Sequence, residues 1–255
     1  VVGGGLQLDM SESVENEWLC AQILRELGFS VAKTEIAVYG AQKVLVVERF
    51  DRQWMDERWI ARLPQEDFCQ ALAVPPDRKY ESDGGPGTED ALKLLSGSAS
   101  PNADREQFLL AQLAFWLLAA TDGHAKNFSV FLNAGDTYRL TPLYDVLSAW
   151  PIIGHGANSL SPQKARLAMG LRAKNMHYRL REIRARHYRE LAEKSGVPTV
   201  WDKMQELVNN VPPSLAAVEK RLASDFPRIL WERISNGTLS QAGAFKNEAL
   251  GGGIV

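Results

Sequence analysis

Between residues 119 and 150 the chain sets charged and amide side chains among apolar runs, and that alternation leaves few backbone paths open. Asp122 is followed five residues later by Asn127. An apolar run (Phe128, Val130, Phe131, Leu132) then reaches Gly135-Asp136, a second short run, and Asp145. A Gly-Asp pair between two short apolar runs is a hairpin signal. The expected path is therefore loop, hairpin, loop, with one carboxylate in each loop. Upstream, residues 103–120 carry Phe108, Leu109, Ala111, Gln112, Phe115, Trp116 and Ala119 in helical register and are apolar on most sides. Such a segment is a buried helix, and it would deliver Asp122 on a rigid support.

The order of these groups has a chemical reading. A protein-kinase catalytic loop carries an Asp that orients and deprotonates the acceptor hydroxyl and, five residues on, an Asn that holds a metal ion. After a hairpin comes a second Asp on the metal. Asp122, Asn127 and Asp145 reproduce that order, and phosphoryl transfer asks for little from a protein beyond oxygen ligands for Mg²⁺ and a carboxylate near the nucleophile. Lys126 would place positive charge near the transferred phosphate. The spacing alone leaves ordinary turn chemistry open, because Asp and Asn dominate turns. His124 stands between the groups. Beside two carboxylates it could be a proton relay or a metal ligand, but the other histidines (His155, His177, His187) are distant and lack paired spacing such as HExxH, which disfavours metal ligation. Tyr144 reads equally as a nucleotide contact or a core aromatic.

Five separated segments, in order, resemble the HipA toxin family: VERFDR (47–52), LPQEDFCQ (63–70), KYESDGGPG (79–87), DGHAKNFS (122–129) and LTPLYDVLSAWP (140–151). The resemblance runs from about Leu8 to about Ser240. Members are serine/threonine kinases of bacterial toxin–antitoxin systems. The resemblance implies an α+β, two-lobed protein-kinase-like fold, here a partial β-containing N-lobe and a mostly helical C-lobe, binding ATP with Mg²⁺ in the cleft. By the same resemblance Asp122 is the catalytic residue, Asn127 and Asp145 hold Mg²⁺, and the backbone near Glu48 and Phe50 meets adenine. Asp51 would lie near the ribose, Gln65 would occupy a nucleotide-site position, and His124 a catalytic-loop position. The acceptor it implies is a protein serine or threonine, in the family that of glutamyl-tRNA synthetase, whose phosphorylation stalls translation and leads to growth arrest and persistence. The implied partners are a small helix-turn-helix antitoxin, HipB, and operator DNA reached through it in a repressor complex. The family's glycine-rich phosphate loop with its phosphorylatable serine, and its ATP-contacting lysine, are not identifiable in this sequence, and Gly3-Gly4-Gly5 is not assigned that role. Two other readings stand beside this one. The first is a catalytically inactive binding component of the antitoxin–DNA complex; the second is a small-molecule or lipid kinase, because metal-holding residues do not select the acceptor.

The remainder of the chain is read as support. Residues 1–70 form a partial N-lobe and hinge, 71–240 a helical C-lobe, and 241–255 a flexible tail. Val1-Val2 reads as a strand remnant and the triple glycine as linker. A helix capped at Ser11 or Ser13 presents Val14, Trp18, Ile23, Leu24 and Leu27 at helical spacing and ends at Gly28. Its Glu15 and Glu17 are candidates for pairing the ATP-contacting lysine, although an acidic first turn is ordinary for a helix dipole. Strands are expected at 34–38 and 44–49 around a turn at Gly40, and at 58–62. Helices are expected at 88–96, 179–194, 200–210, 213–224 and 225–236. Arg179, Arg181, Arg184, Arg186 and Arg189 alternate with Glu182 and Glu190, a solvated helix face more than a phosphate patch. With 45% hydrophobic and 24% charged residues the composition is that of a globular chain, and a net charge of −2 offers no global field for nucleic acid. Cys20 and Cys69 are too few for a disulfide scaffold, which fits a reducing cytoplasm. No stretch reaches the ~18 apolar residues of a membrane span, so a membrane partner is not expected.

Overall fold

The computed structural model describes residues 2–3 and 6–251. Val2–Gly3 (β1) and Leu6–Gln7 (β2) pair antiparallel, so Val2 is in a strand as expected while Gly3, read as linker, joins it; Val1, Gly4 and Gly5 lie outside the described residues. Helix α1 (Ser13–Glu26) buries Leu19, Cys20, Ile23 and Leu24 and gives way at Gly28, whose φ of +91° suits a residue without Cβ. Asn16 on α1 is buried, donates to the Ser148 carbonyl at 2.8 Å and accepts from the Ser148 N–H at 2.8 Å. This two-way amide bond, spanning 132 residues, ties α1 to the segment that follows Asp145.

Two hairpins come next. Thr34–Tyr39 (β3) and Gln42–Val47 (β4) pair around Gly40, as the sequence predicts. Arg52–Met55 (β5) and Trp59–Arg62 (β6) form a second hairpin, of which only the later strand was expected. Gln65–Asp67 (β7) leads into the short helix α2 (Phe68–Ala71), where Asp67 and Gln70 bond each other's backbone N–H groups at 2.9 Å in a capping box. Helix α3 (Thr88–Leu95) precedes α4 (Pro101–Leu118), whose residues from Phe108 to Leu118 are all buried. Ser129–Asn133 (β8) and Thr137–Leu140 (β9) turn at Gly135-Asp136, both at positive φ, and β8 pairs β7 on its other side. The hairpin expected from the sequence is thus the centre and edge of a three-stranded antiparallel sheet.

The C-terminal half departs from expectation in three places. Met176–Arg179 (β11) pairs Arg166–Arg172 (β10), so the helix expected over 179–194 begins only at Ala185 (α5, Ala185–Ser195). Along the arginine run, Arg179, Arg184 and Arg189 meet Glu182, Glu248 and Glu193 at 2.9, 3.3 and 3.3 Å; the run is solvated as expected, but only Arg186 and Arg189 lie on a helix. The segments 200–210 and 213–224 are one helix, α6 (Val200–Glu219), with Pro212 and Pro213 inside it. Buried Val208, Val211, Leu215 and Val218 on its inner face hold it continuous despite the prolines' missing N–H donors. The last helix, α7, runs Arg228–Gly251. It corrects the flexible tail expected from 241 onward: Ala242 and Phe245 are buried, and the Phe245 ring lies 5.6 Å from Trp201, 6.1 Å from Tyr188 and 6.4 Å from Trp116. Residues 252–255 lie outside the described residues. Earlier in α7, Gly237 lets the helix touch the Trp150 indole, which stands 2.3 Å from where a Cβ would be. Among the described residues no helix is long and apolar enough to cross a membrane.

Candidate active site

Helix α4 ends with Ala119 in the left-handed region (φ +50°), and the N–H groups of Ala119 and Ala120 return to the carbonyls of Trp116 and Phe115. That reversal throws Asp122–Asn127 across the end of the helix. Gly123 has no room for a side chain, because Phe115 Cδ2 lies 2.3 Å from its hypothetical Cβ. The loop closes on itself: the His124 N–H donates to the Asp122 carbonyl at 2.8 Å and the Asn127 N–H to the His124 carbonyl at 2.9 Å. From the far side, the Leu143 N–H bonds the Ser30 carbonyl and the Ala32 N–H the Leu143 carbonyl, and this parallel bridge fixes Tyr144-Asp145. Asp145 takes φ +57°, a conformation Asp tolerates better than most residues.

The two loops meet at Asn127. Its side chain, buried, donates to Asp145 Oδ2 at 2.7 Å and to the Asp145 carbonyl at 3.4 Å, and its Oδ1 accepts from the His124 N–H at 3.2 Å. Asp122 stays exposed. Its Oδ1 accepts from the Tyr80 hydroxyl at 2.5 Å and lies 4.0 Å from His124 Nε2. The Tyr80 ring meets His124 edge-on at 5.1 Å. Loss of water around the Asp145 carboxyl raises its pKa; the Asn127 bond opposes this and the Asp122 charge adds to it. His124 is held below the usual histidine range, chiefly by burial, against the pull of Asp122.

The other sequence candidates divide. Tyr144 belongs to the site: its hydroxyl donates to the Lys126 carbonyl at 2.9 Å and lies 2.6 Å from Ser129 Oγ, and burial pushes its pKa up to about 12. Phe50 packs 5.6 Å from both Tyr144 and Phe131, which brings the VERFDR segment onto the β8–β9 hairpin and the loop after it. Gln65, on β7 opposite Phe131, has its Oε1 buried without a partner. Lys126 is not free above the loop, since its ammonium donates to Asp67 Oδ2 at 2.7 Å. Glu48 pairs with Lys33 at 2.9 Å on the surface. Asp51 is covered by two guanidinium groups, Arg49 at 2.8 and 2.7 Å and Arg52 at 2.5 Å, and the Arg49 bond is the main reason its pKa is lowered. Of the two first-turn glutamates, Glu15 bonds Lys43 of β4, whereas Glu17 lines the cleft with Thr34, Val47, Tyr144 and Asp145. Burial and then the nearby Asp145 charge push Glu17 up to about 7.

Sequence reasoning missed Lys79 and Tyr80. The Lys79 carbonyl accepts from the Ala125 N–H at 3.3 Å, and its ammonium lies 5.1 Å from the centre of the Tyr80 ring. The segment KYESDGGPG reads as irregular from its composition, and nothing local announces a bond to a carboxylate 42 residues away.

The mixed helix-and-sheet architecture and the spacing of Asp122, Asn127 and Asp145 are those of kinase-like proteins. In fold the chain is similar to the HipA of Shewanella oneidensis MR-1 solved with HipB and operator DNA (TM-score 0.78, 22% identity, 92% of this chain and 56% of that one). It is also similar to the Helicobacter pylori proinflammatory kinase CtkA (TM-score 0.62, 12% identity, 94% and 82%). The chain belongs to the HipA-like C-terminal domain family, whose family model matches residues 4–217. Among curated relatives, the Sinorhizobium fredii protein named "Putative kinase Y4mE" is 35% identical over 211 residues, 81% of this chain and 47% of that protein. The serine/threonine-protein kinase toxin HipA of Shewanella oneidensis is 31% identical over 147 residues, 53% and 34%. The chain spans about half the length or less of the curated relatives it matches.

Proposed function

We propose that this chain carries the catalytic and metal-holding half of a serine/threonine kinase that moves the γ-phosphoryl group of ATP to a protein hydroxyl. The observation that carries the reading is the Asn127–Asp145 bond at 2.7 Å, which joins two loops 18 residues apart while Asp122 stands exposed on the first of them. The donor set fits magnesium arriving with a nucleotide. Asp145 supplies a hard oxygen donor and Asn127 would supply a second once its amide, which now donates to Asp145 Oδ2, turns Oδ1 from the His124 N–H to the metal; Mg²⁺ habitually takes one or two protein carboxylates with the rest of its sphere from water and substrate phosphates. Among the described residues no group of three or more His, Cys, Asp or Glu could hold a metal. The orphaned Gln65 Oε1 offers an acceptor to a nucleotide donor. When bound, Mg²⁺ supplies charge neutralisation at the phosphate oxygens.

The chain's own residues do the rest. Asp122 accepts the proton of the acceptor hydroxyl and aims its oxygen at the phosphorus. Asn127 fixes the separation of the two loops, and Tyr144 holds the loop by the Lys126 carbonyl. We assign to Lys79, whose charge acts on both His124 and Asp145, the role first read into Lys126. In the intact protein we assign the toxin role, a HipB-like helix-turn-helix antitoxin and, through it, operator DNA. The support is the likeness to a HipA whose structure holds both. Glutamyl-tRNA synthetase is the first acceptor to try.

Calorimetry of ATP with and without Mg²⁺, paired with labelled-phosphate transfer, tests this. Asp145→Asn loses Mg²⁺-dependent binding, whereas Asp122→Asn binds ATP normally and transfers about 10²- to 10⁴-fold more slowly. Normal transfer by Asp122→Asn, or binding by Asp145→Asn equal to wild type, refutes the assignment.

A further inference from the structure

We infer that Tyr80 is a positioning residue for phosphoryl transfer, holding one oxygen of Asp122 so that the other faces the acceptor hydroxyl. The inference rests on the kinase reading above. Asp122 is exposed, its side chain retaining 67% of its accessible surface, and an exposed carboxylate ordinarily samples several rotamers. Here the Tyr80 hydroxyl donates to Oδ1 at 2.5 Å, and no other side-chain donor bonds that carboxylate among the described residues. A bond to a charged acceptor is among the stronger hydrogen bonds. It leaves Oδ2 as the free acceptor.

A tether is useful only if it is itself fixed, and this one is. The Tyr80 ring rests edge-on against buried His124 at 5.1 Å. Its carbonyl accepts from the N–H groups of Asp83 and Gly85 at 3.0 and 2.9 Å, a closed turn. Gly85 has no space for a Cβ, which would stand 2.0 Å from the Arg78 carbonyl oxygen. The neighbouring Glu81 reaches in the opposite direction, accepting from the Gly170 N–H of β10 at 2.6 Å, and Thr88 Oγ1 donates to the Gly170 carbonyl at 2.8 Å. The segment KYESDGGPG therefore spans from β10 to the catalytic carboxylate, with the phenol at one end and Glu81 anchoring it. Fixing a reacting group before substrate arrives lowers the entropic part of the barrier without strengthening ground-state binding, so the signature is in kcat and not in KM for ATP.

The experiment uses the intact protein with ζ-¹³C-tyrosine. Tyr80→Phe identifies the Tyr80 resonance, and Asp122→Asn moves that resonance in wild-type background if the contact exists in solution; an unmoved resonance overturns the inference whatever the enzyme does. Steady-state transfer is then compared for wild type, Tyr80→Phe and Tyr80→Leu. The expected result is a kcat about tenfold lower in both variants, the scale of one hydrogen bond to a charged group, with KM for ATP and Tm of the Phe variant unchanged. Wild-type kcat in Tyr80→Phe with a loss only in Tyr80→Leu shows that the ring packs and the hydroxyl does nothing, which overturns it. A rise in kcat overturns it too, since the phenol would then be occupying the acceptor's place. A wild-type protein that binds ATP and transfers phosphate to nothing defeats the kinase reading, and this role with it, even where the resonance moves.

Discussion

Gly123 is the point where the catalytic loop and the core compete for one volume, and Gly123→Ala measures that competition. The glycine is not there for left-handed backbone, because its φ lies outside that region. It is there because a Cβ would stand 2.3 Å from Phe115 Cδ2 and 2.6 Å from Cε2. Phe115 cannot easily give way: it is buried and packs at 5.4 Å against Phe128, which in turn meets Phe108 at 5.1 Å and Phe68 at 5.6 Å. Overpacking of this kind costs about 1–3 kcal/mol, and in a chain of this size each kcal/mol lowers Tm by roughly 2–4 °C. The same displacement moves Asp122 and His124, so transfer slows as well. Urea unfolding followed by circular dichroism reads the first effect. Phe115→Leu vacates the ring edge, so the double variant loses less stability than the two single losses added, with a coupling of about 0.5–3 kcal/mol. Strict additivity, or a Gly123→Ala protein as stable as wild type, refutes the reasoning.

Three further outcomes follow from particular contacts. Lys126→Met strips Asp67 of its partner at 2.7 Å and should cost roughly 1–3 kcal/mol of stability while changing ATP affinity little; calorimetry and urea unfolding showing the opposite pattern would return Lys126 to the phosphate. Phe245→Ala should cost about 3–5 kcal/mol, because its ring meets Trp201, Tyr188 and Trp116; a neutral result would restore the flexible tail. His187 is buried against His177, with ring centroids 4.0 Å apart, and burial, His177 and Arg186 hold its pKa below 6.5. A histidine depressed in the folded state takes up fewer protons than the unfolded chain below 6.5, so its contribution is present above that pH and is lost as pH falls. His187→Gln should therefore flatten the stability–pH curve below 6.5, and an unchanged slope would show that another group sets it.

What could be read from the sequence is what depends on neighbours along the chain. The hairpin around Gly135-Asp136, the strands either side of Gly40, the helix ending at Gly28 and the buried α4 are set by turn chemistry and by periodicities of two and 3.6, which are local. The order Asp122, Asn127, Asp145 is local in the same sense. The errors fall where distant packing overrides a local signal. Pro212 and Pro213 argue for a break and are outweighed by the buried face of α6. The residues after Ser240 look unpatterned, yet Phe245 enters a cage of three aromatic rings brought from Trp116, Tyr188 and Trp201.

The sequence by itself determined which chemical groups are present and in what order, and with them a reading in which two loops flank a hairpin. Only the tertiary structure decided which of those groups are free to act. Asp67, 59 residues away, engages Lys126; Arg49 and Arg52 cover Asp51; Tyr80, 42 residues upstream, takes an oxygen of Asp122; and Asn16 and Ser148, 132 residues apart, lock the helix beside the cleft to the Asp145 segment. A side chain's charge is a property of its type, but its availability depends on what folding places within ~3 Å of it. No periodicity along the chain encodes that distance.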